Sequence, residues 1–108
     1  MSKIKEVFSE SKEKTLEAKK TEFLGKLKAG CEKTCEALEQ ERKEYEEVRN
    51  QVLEKIKEIG QAESLVDFKT IPSPDTLASN LMEAEIQIAL VTKKLEIAKS
   101  KISEFFED

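Results

Sequence analysis

An all-α fold, specifically an antiparallel helical hairpin of coiled-coil type with a long first helix, is predicted by three features of this sequence. From Leu77 to Phe105 the positions Leu77, Leu81, Ala84, Ile88, Val91, Leu95, Ala98, Ile102 and Phe105 form a heptad seam that holds over four repeats. Upstream, Lys3 to Ile59 contains no proline and is rich in good helix formers, so it can supply the partner that such a seam needs. The third feature is bulk composition. Charged residues make up 39% of the 108, Trp is absent, and Gly and Pro are scarce, a balance that suits long helices packed along narrow stripes.

The first helix is read as running from about residue 3 to 59. Glu10 with Lys14, Glu22 with Lys26 and Glu39 with Lys43 are spaced four apart with the acid first, each worth a few tenths of a kcal/mol. Packing rests on the apolar positions Phe23/Leu24, Leu27, Cys31, Cys35, Leu38, Tyr45, Val48, Val52, Ile56 and Ile59, a near-heptad stripe with a polar gap around Glu41 and Arg42. Ile4, Val7, Phe8, Leu16 and Ala18 keep no continuous stripe, so the first 22 residues are the weaker part of the helix. Gly25 and Gly30 each cost about 1 kcal/mol relative to Ala inside a helix, and a kink or reversal would be cheapest there. Gly60 suits a left-handed cap that ends the helix.

Residues 60–73 form the connection. Leu65, Val66, Phe68 and Ile71 are poor choices for a solvated linker, so a packed connection is expected, with a single helical turn near Ala62 to Phe68 plugging the end of the hairpin. Ser73-Pro74-Asp75 then reads as a helix start, with Ser at the cap, Pro in the first turn and an acid at the positive end. The Ser-Pro pair is also a phosphorylation pattern, but the cap is the more economical reading. The second helix meets no breaker from residue 74 to about 106.

That second helix is apolar on two sides. Met82, Ile86, Leu90 and Ile97 make a stripe away from the seam, and one partner helix cannot cover both. A first helix of 57 residues would also outrun the second by roughly 25 residues at about 1.5 Å per residue. Either the chain folds back at Gly25 or Gly30 into a three-helix bundle, or two chains associate; association is preferred because residues 1–22 lack a strong stripe. The predicted interface comprises Met82, Ile86, Leu90, Ile97 and Phe106, the last because it lies beside Phe105 rather than on the seam.

Chemistry is not indicated. The chain has no His, no glycine-rich phosphate loop and no nucleophile beside a base, so the expectation is a protein that is not an enzyme and has no cofactor. Cys31 and Cys35 share a helix face, and two chains could pool them around zinc; two small side chains packed on the seam is the preferred reading. Net charge is −4, although residues 1–30 hold eight Lys against five Glu. The Lys12, Lys19, Lys20, Lys26 and Lys28 face is interleaved with acids and reads as solvated, so nucleic-acid binding is not expected.

No apolar run approaches the ~18–20 residues that cross a bilayer, and the first residues have no signal-peptide core, so no membrane insertion and an intracellular, cytoplasmic setting are expected. The function expected is self-association, as a homodimer, and protein–protein scaffolding. The alternatives are a small monomeric helical-bundle adaptor or inhibitor that binds one partner protein, and a coiled-coil oligomerisation segment of a larger multidomain protein.

Overall fold

A computed structural model describes residues 14–107 of the chain, with side chains from Leu16 onward. The described elements are a long helix α1 (Lys14–Gln61), a short 3-10 helix (Leu65–Thr70) and a second long helix α2 (Pro74–Phe106). Among the described residues there is no strand. The two long helices pack against each other as a helical hairpin. Residues 3–13, including Ile4, Val7, Phe8 and the Glu10 of the Glu10/Lys14 pair, lie outside the described residues.

The described residues divide into two compact units, 14–39 with 93–107, and Gln40–Thr92. In the first, Cys31 and Thr34 of α1 share a groove with Ala98, Lys101, Ile102 and Phe105 of α2, and Glu39 Oε1 lies 3.0 Å from Lys99 Nζ. In the second, Gln51, Val52 and Lys55 share a groove with Pro72, Leu77 and Asn80, and Arg49 Nε lies 3.7 Å from Glu85 Oε1. Within each unit, then, rising numbers on α1 meet falling numbers on α2, and the helices are antiparallel.

The seam of α2 accounts for most of the core. Val91 is fully buried, Ala84, Leu95 and Leu77 nearly so, and Leu81, Ile88, Ala98, Ile102 and Phe105 are half-buried. All nine seam positions are thus withdrawn from solvent. Among the described side chains of α1 only Cys35 and Val52 are buried. Stepping four and three from Leu24 gives Lys28, Cys31, Cys35, Leu38, Arg42, Tyr45, Arg49, Val52, Ile56 and Ile59, so the α1 face is a full heptad whose polar members are Lys28, Arg42 and Arg49. All three are half-buried, and a long basic side chain is suited to such a position because its aliphatic stem tolerates cover while its charged end stays in water. The polar gap of the sequence is therefore filled rather than empty.

Two details differ from the sequence reading, and the less favoured fold-back at Gly25 or Gly30 is not taken. Gly60 does not cap α1 in the left-handed region; the helix continues through it to Gln61, and the last turn tightens as Ala62 N–H donates to the Ile59 carbonyl at 3.2 Å. Nor does the chain reverse at Gly25 or Gly30. Both lie inside α1, because each glycine costs about 1 kcal/mol while a helix interrupted there would forfeit several backbone hydrogen bonds. The connection is open rather than packed: Leu65 is 85% exposed, Val66 and Phe68 are also exposed, and only Ala62 and Ile71 are half-buried. A six-residue 3-10 helix is too short to present a face that α1 or α2 could cover.

The start of α2 is built as its residues dictate. The Ser73 hydroxyl oxygen accepts the Thr76 backbone N–H at 3.2 Å and lies 2.9 Å from the Thr76 hydroxyl, and Pro74 is the first helical residue. Of the charge pairs expected along α1, Glu22 and Lys26 meet at 3.1 Å, whereas Glu39 reaches across to Lys99.

Two predictions follow from the packing, both read by urea denaturation at one fixed protein concentration. Leu95→Ala lowers stability by about 3 kcal/mol, since it opens a cavity beneath a 3% exposed side chain, whereas Leu65→Ala at the bare tip changes it by less than about 0.5 kcal/mol. Gly30→Ala raises stability by about 1 kcal/mol, because the added methyl meets nothing within 4 Å and the helix gains a better former.

Candidate functional site

The side of α2 that faces away from the seam carries the most organised exposed apolar surface among the described residues. Met82, Ile86 and Leu90 follow one another at four-residue steps, each one helical turn apart, and are 54%, 54% and 49% exposed. They belong to the unit formed by Gln40–Thr92. Ile97, in the other unit, is 51% exposed on the same helix. Helical periodicity explains the exposure: at about 100° per residue these positions sit on the opposite side of α2 from Ala84, Val91 and Leu95.

Phe106 is a correction to the predicted set. It is only 8% exposed, because at 100° per residue it falls on the seam side of α2 next to Phe105, and a side chain already covered offers no surface to a partner. Sequence reasoning also passed over Leu53, which is 45% exposed on α1 although it directly follows the buried Val52. Its signal was present in the pattern: a leucine one place off a seam position points 100° away from it.

The surroundings of the α2 face are charged and mostly committed. Gln87 Nε2 donates to Glu83 Oε1 at 3.2 Å, Lys93 Nζ lies 3.7 Å from Glu96 Oε2, and Lys101 Nζ lies 2.8 Å from Glu104 Oε2. These are surface contacts and each contributes a few tenths of a kcal/mol.

The unit 14–39 with 93–107 also holds an open groove of about 190 Å³ between Cys31, Thr34, Ala98, Lys101, Ile102 and Phe105. Its floor is a thiol among apolar side chains. The one amine at its edge, Lys101 Nζ, is taken by Glu104 and lies 5.9 Å from the Phe105 ring centre, so nothing in the groove stands ready to activate the thiol. Cys31 is half-buried and Cys35 buried, both with free thiols, and among the described residues no three His, Cys, Asp or Glu side chains come together to hold a metal ion. The α1 lysines of the basic face are interleaved with acids; Lys26 is paired with Glu22, and Lys12 lies outside the described residues. No described helix is long and apolar enough to cross a membrane.

Compared with protein-family models, with curated proteins and with solved structures, the chain has no match.

The two thiols differ in access, and a thiol reagent reads that difference. Under native conditions Cys31 reacts first and Cys35 much more slowly; Cys31→Ser abolishes the fast phase, and urea makes the remaining thiol react at once. Equal rates for both thiols in the folded protein would contradict the burial described.

Proposed function

We propose that this chain is a non-enzymatic helical-hairpin scaffold that self-associates as a homodimer through the outward face of α2 and acts by protein–protein contact. The observation that carries the reading is the row Met82, Ile86 and Leu90, three large apolar side chains half-exposed at successive turns of one helix. Single exposed apolar residues are ordinary; an ordered row of them is the usual mark of a contact surface. The heptad spacing of the α2 seam supports describing the hairpin as a coiled coil, and the two free thiols suit a reducing, cytoplasmic compartment.

Magnitudes set the kind of association. Covering the exposed half of each of these side chains is worth roughly 1 kcal/mol, so three from each of two copies supply about 6 kcal/mol. The cost of bringing two molecules together is about 4–15 kcal/mol. The row alone thus supports a weak, concentration-dependent dimer, and neighbouring residues must contribute to anything tighter.

A second reading, an adaptor that binds one partner protein, is favoured by a different observation: the tip of the connection leaves Leu65, Val66 and Phe68 exposed. The two readings differ in which surface is used.

Light scattering coupled to size-exclusion chromatography tests the first. A dimer mass for the unaltered chain, together with a monomer mass and a retained helical spectrum for Ile86→Glu, is the expected result, and the thermal midpoint of the unaltered chain rises with concentration. If Ile86→Glu leaves mass and midpoint unchanged, the α2 face is not the interface. A monomer at all concentrations moves attention to the tip and to an external partner.

A further inference from the structure

Charge along α2 carries an orientation for the second copy. We infer, resting on the self-association just proposed, that the second copy lies antiparallel on the outward face of α2, related by a two-fold axis near Ile88 and Ala89. Glu83 of each copy then pairs with Lys94 of the other.

The first half of the helix carries Asp75, Glu83 and Glu85 with no basic residue, whereas residues 93–106 carry Lys93, Lys94, Lys99 and Lys101 against Glu96 and Glu104. The balance is −3 followed by +2. An antiparallel neighbour sets acid against base at both ends, while a parallel one sets like against like. Contacts within the chain narrow the choice of pair. Glu85 is engaged by Arg49, Lys99 by Glu39, Lys101 by Glu104 and Lys93 by Glu96. Glu83 has only the Gln87 amide, and Lys94 has no hydrogen bond or ion pair among the described residues. Both are exposed.

Position selects the same two residues. Glu83 and Lys94 are 11 places apart, about three turns, so they fall within roughly 20° of each other around the helix, on the edge of the stripe next to Leu90. For an antiparallel pair with a two-fold axis, each flank meets the same flank of its mate, so residues on one edge are the ones that can reach each other. The midpoint of Glu83 and Lys94 lies between Ile88 and Ala89; the midpoint of Met82 and Ile97 lies between Ala89 and Leu90. Apolar stripe and charge pair are centred within one residue, about 1.5 Å, of the same point. Ala89 lies at that height on the edge of the stripe next to Met82, where its small side chain leaves room for the second copy.

Cross-linking reads the orientation directly. In a Cys31→Ser, Cys35→Ala background checked for helicity, single-cysteine variants Ala89→Cys, Ser79→Cys and Ser100→Cys are treated with a short bis-maleimide. Ala89→Cys links to itself. Ser79→Cys and Ser100→Cys link only when mixed, since in the antiparallel arrangement a Ser79 position lies about 28 Å along the axis from its own copy. Charge reversal gives an independent reading: Glu83→Lys weakens self-association by about tenfold, and adding Lys94→Glu restores it. Self-linking of Ser79→Cys overturns the antiparallel orientation. So does a dimer by light scattering that shows no mixed link; either result leaves self-association itself standing. A chain that stays monomeric in light scattering overturns both.

Discussion

The unbroken apolar seam of α2 is the constraint on which the rest of the hairpin depends. Each of the nine heptad positions from Leu77 to Phe105 is apolar, and all are buried or half-buried. α1 cannot match this. Three of its facing positions are Lys28, Arg42 and Arg49, and no α1 residue is as completely enclosed as Val91. The arrangement works because a long basic side chain is amphipathic along its own length: the stem covers apolar neighbours and the charge stays in water. No buried side-chain nitrogen or oxygen among the described residues lacks a partner, so this mixed seam carries no desolvation penalty of the kind that would destabilise it.

Register follows from the same asymmetry. A seam that repeats every seven residues can slide by one heptad and still bury apolar against apolar, so periodicity alone leaves the pairing ambiguous. The cross-helix ion pairs, Glu39 with Lys99 in one unit and Arg49 with Glu85 in the other, remove the ambiguity in each. All four side chains are partly solvated, so each pair contributes well under 1 kcal/mol. Their effect is on choice rather than on depth: a slip loses both pairs and puts charges beside the wrong neighbours. Small residues act similarly. Where Cys31 and Thr34 of α1 meet Ala98 of α2, small side chains face one another and an open groove remains, a packing deficit that a bulkier alternative register would fill differently.

How much of this was legible depends on whether local sequence or distant geometry decides. The α2 seam and its Ser73-Pro74 start could be read directly, because both are encoded by residues within a few turns of each other. The α1 face was harder. Its polar seam members look like a gap when only apolar residues are counted, and Arg49 is recognisable as a seam residue only once Glu85 is known to lie across from it. Gly60 carried a correct signal for a helix end within about one residue but not for its geometry, since a tightened last turn ends a helix without left-handed backbone. The connection failed for a different reason. Leu65, Val66 and Phe68 have the composition of buried residues, yet burial needs an opposing surface, and nothing in a local pattern says whether one exists. The outward stripe was legible residue by residue at Met82, Ile86, Leu90 and Ile97, and failed at Phe106, where the choice of side turned on a difference of one position.

What the hairpin leaves unsolved is on α2. A helix buried on one side usually presents charge on the other, although α1 also leaves Leu16, Phe23, Leu27, Val48, Leu53 and Ile56 exposed, of which Phe23, Leu27, Val48 and Ile56 were expected in its packing stripe. α2 places methionine, isoleucine and leucine opposite its seam, where each costs solubility and adds nothing to the fold of a single chain. Neither α1 nor the connection can relieve this: α1 occupies the seam side, and the 3-10 helix is exposed rather than folded over a neighbour. In the association proposed above, a second copy covers this face. The charge along α2 bears on what covers it. Within the chain Glu85 is engaged by Arg49, Lys99 by Glu39, Lys93 by Glu96 and Lys101 by Glu104, but Glu83 and Lys94, 11 apart on the same flank, are too distant to pair with each other. The pattern of acids followed by bases is self-complementary once reversed, and the residues that flank the apolar row without strong partners of their own are one acid and one base. The features that the single hairpin does not use are thus complementary to a reversed copy of themselves.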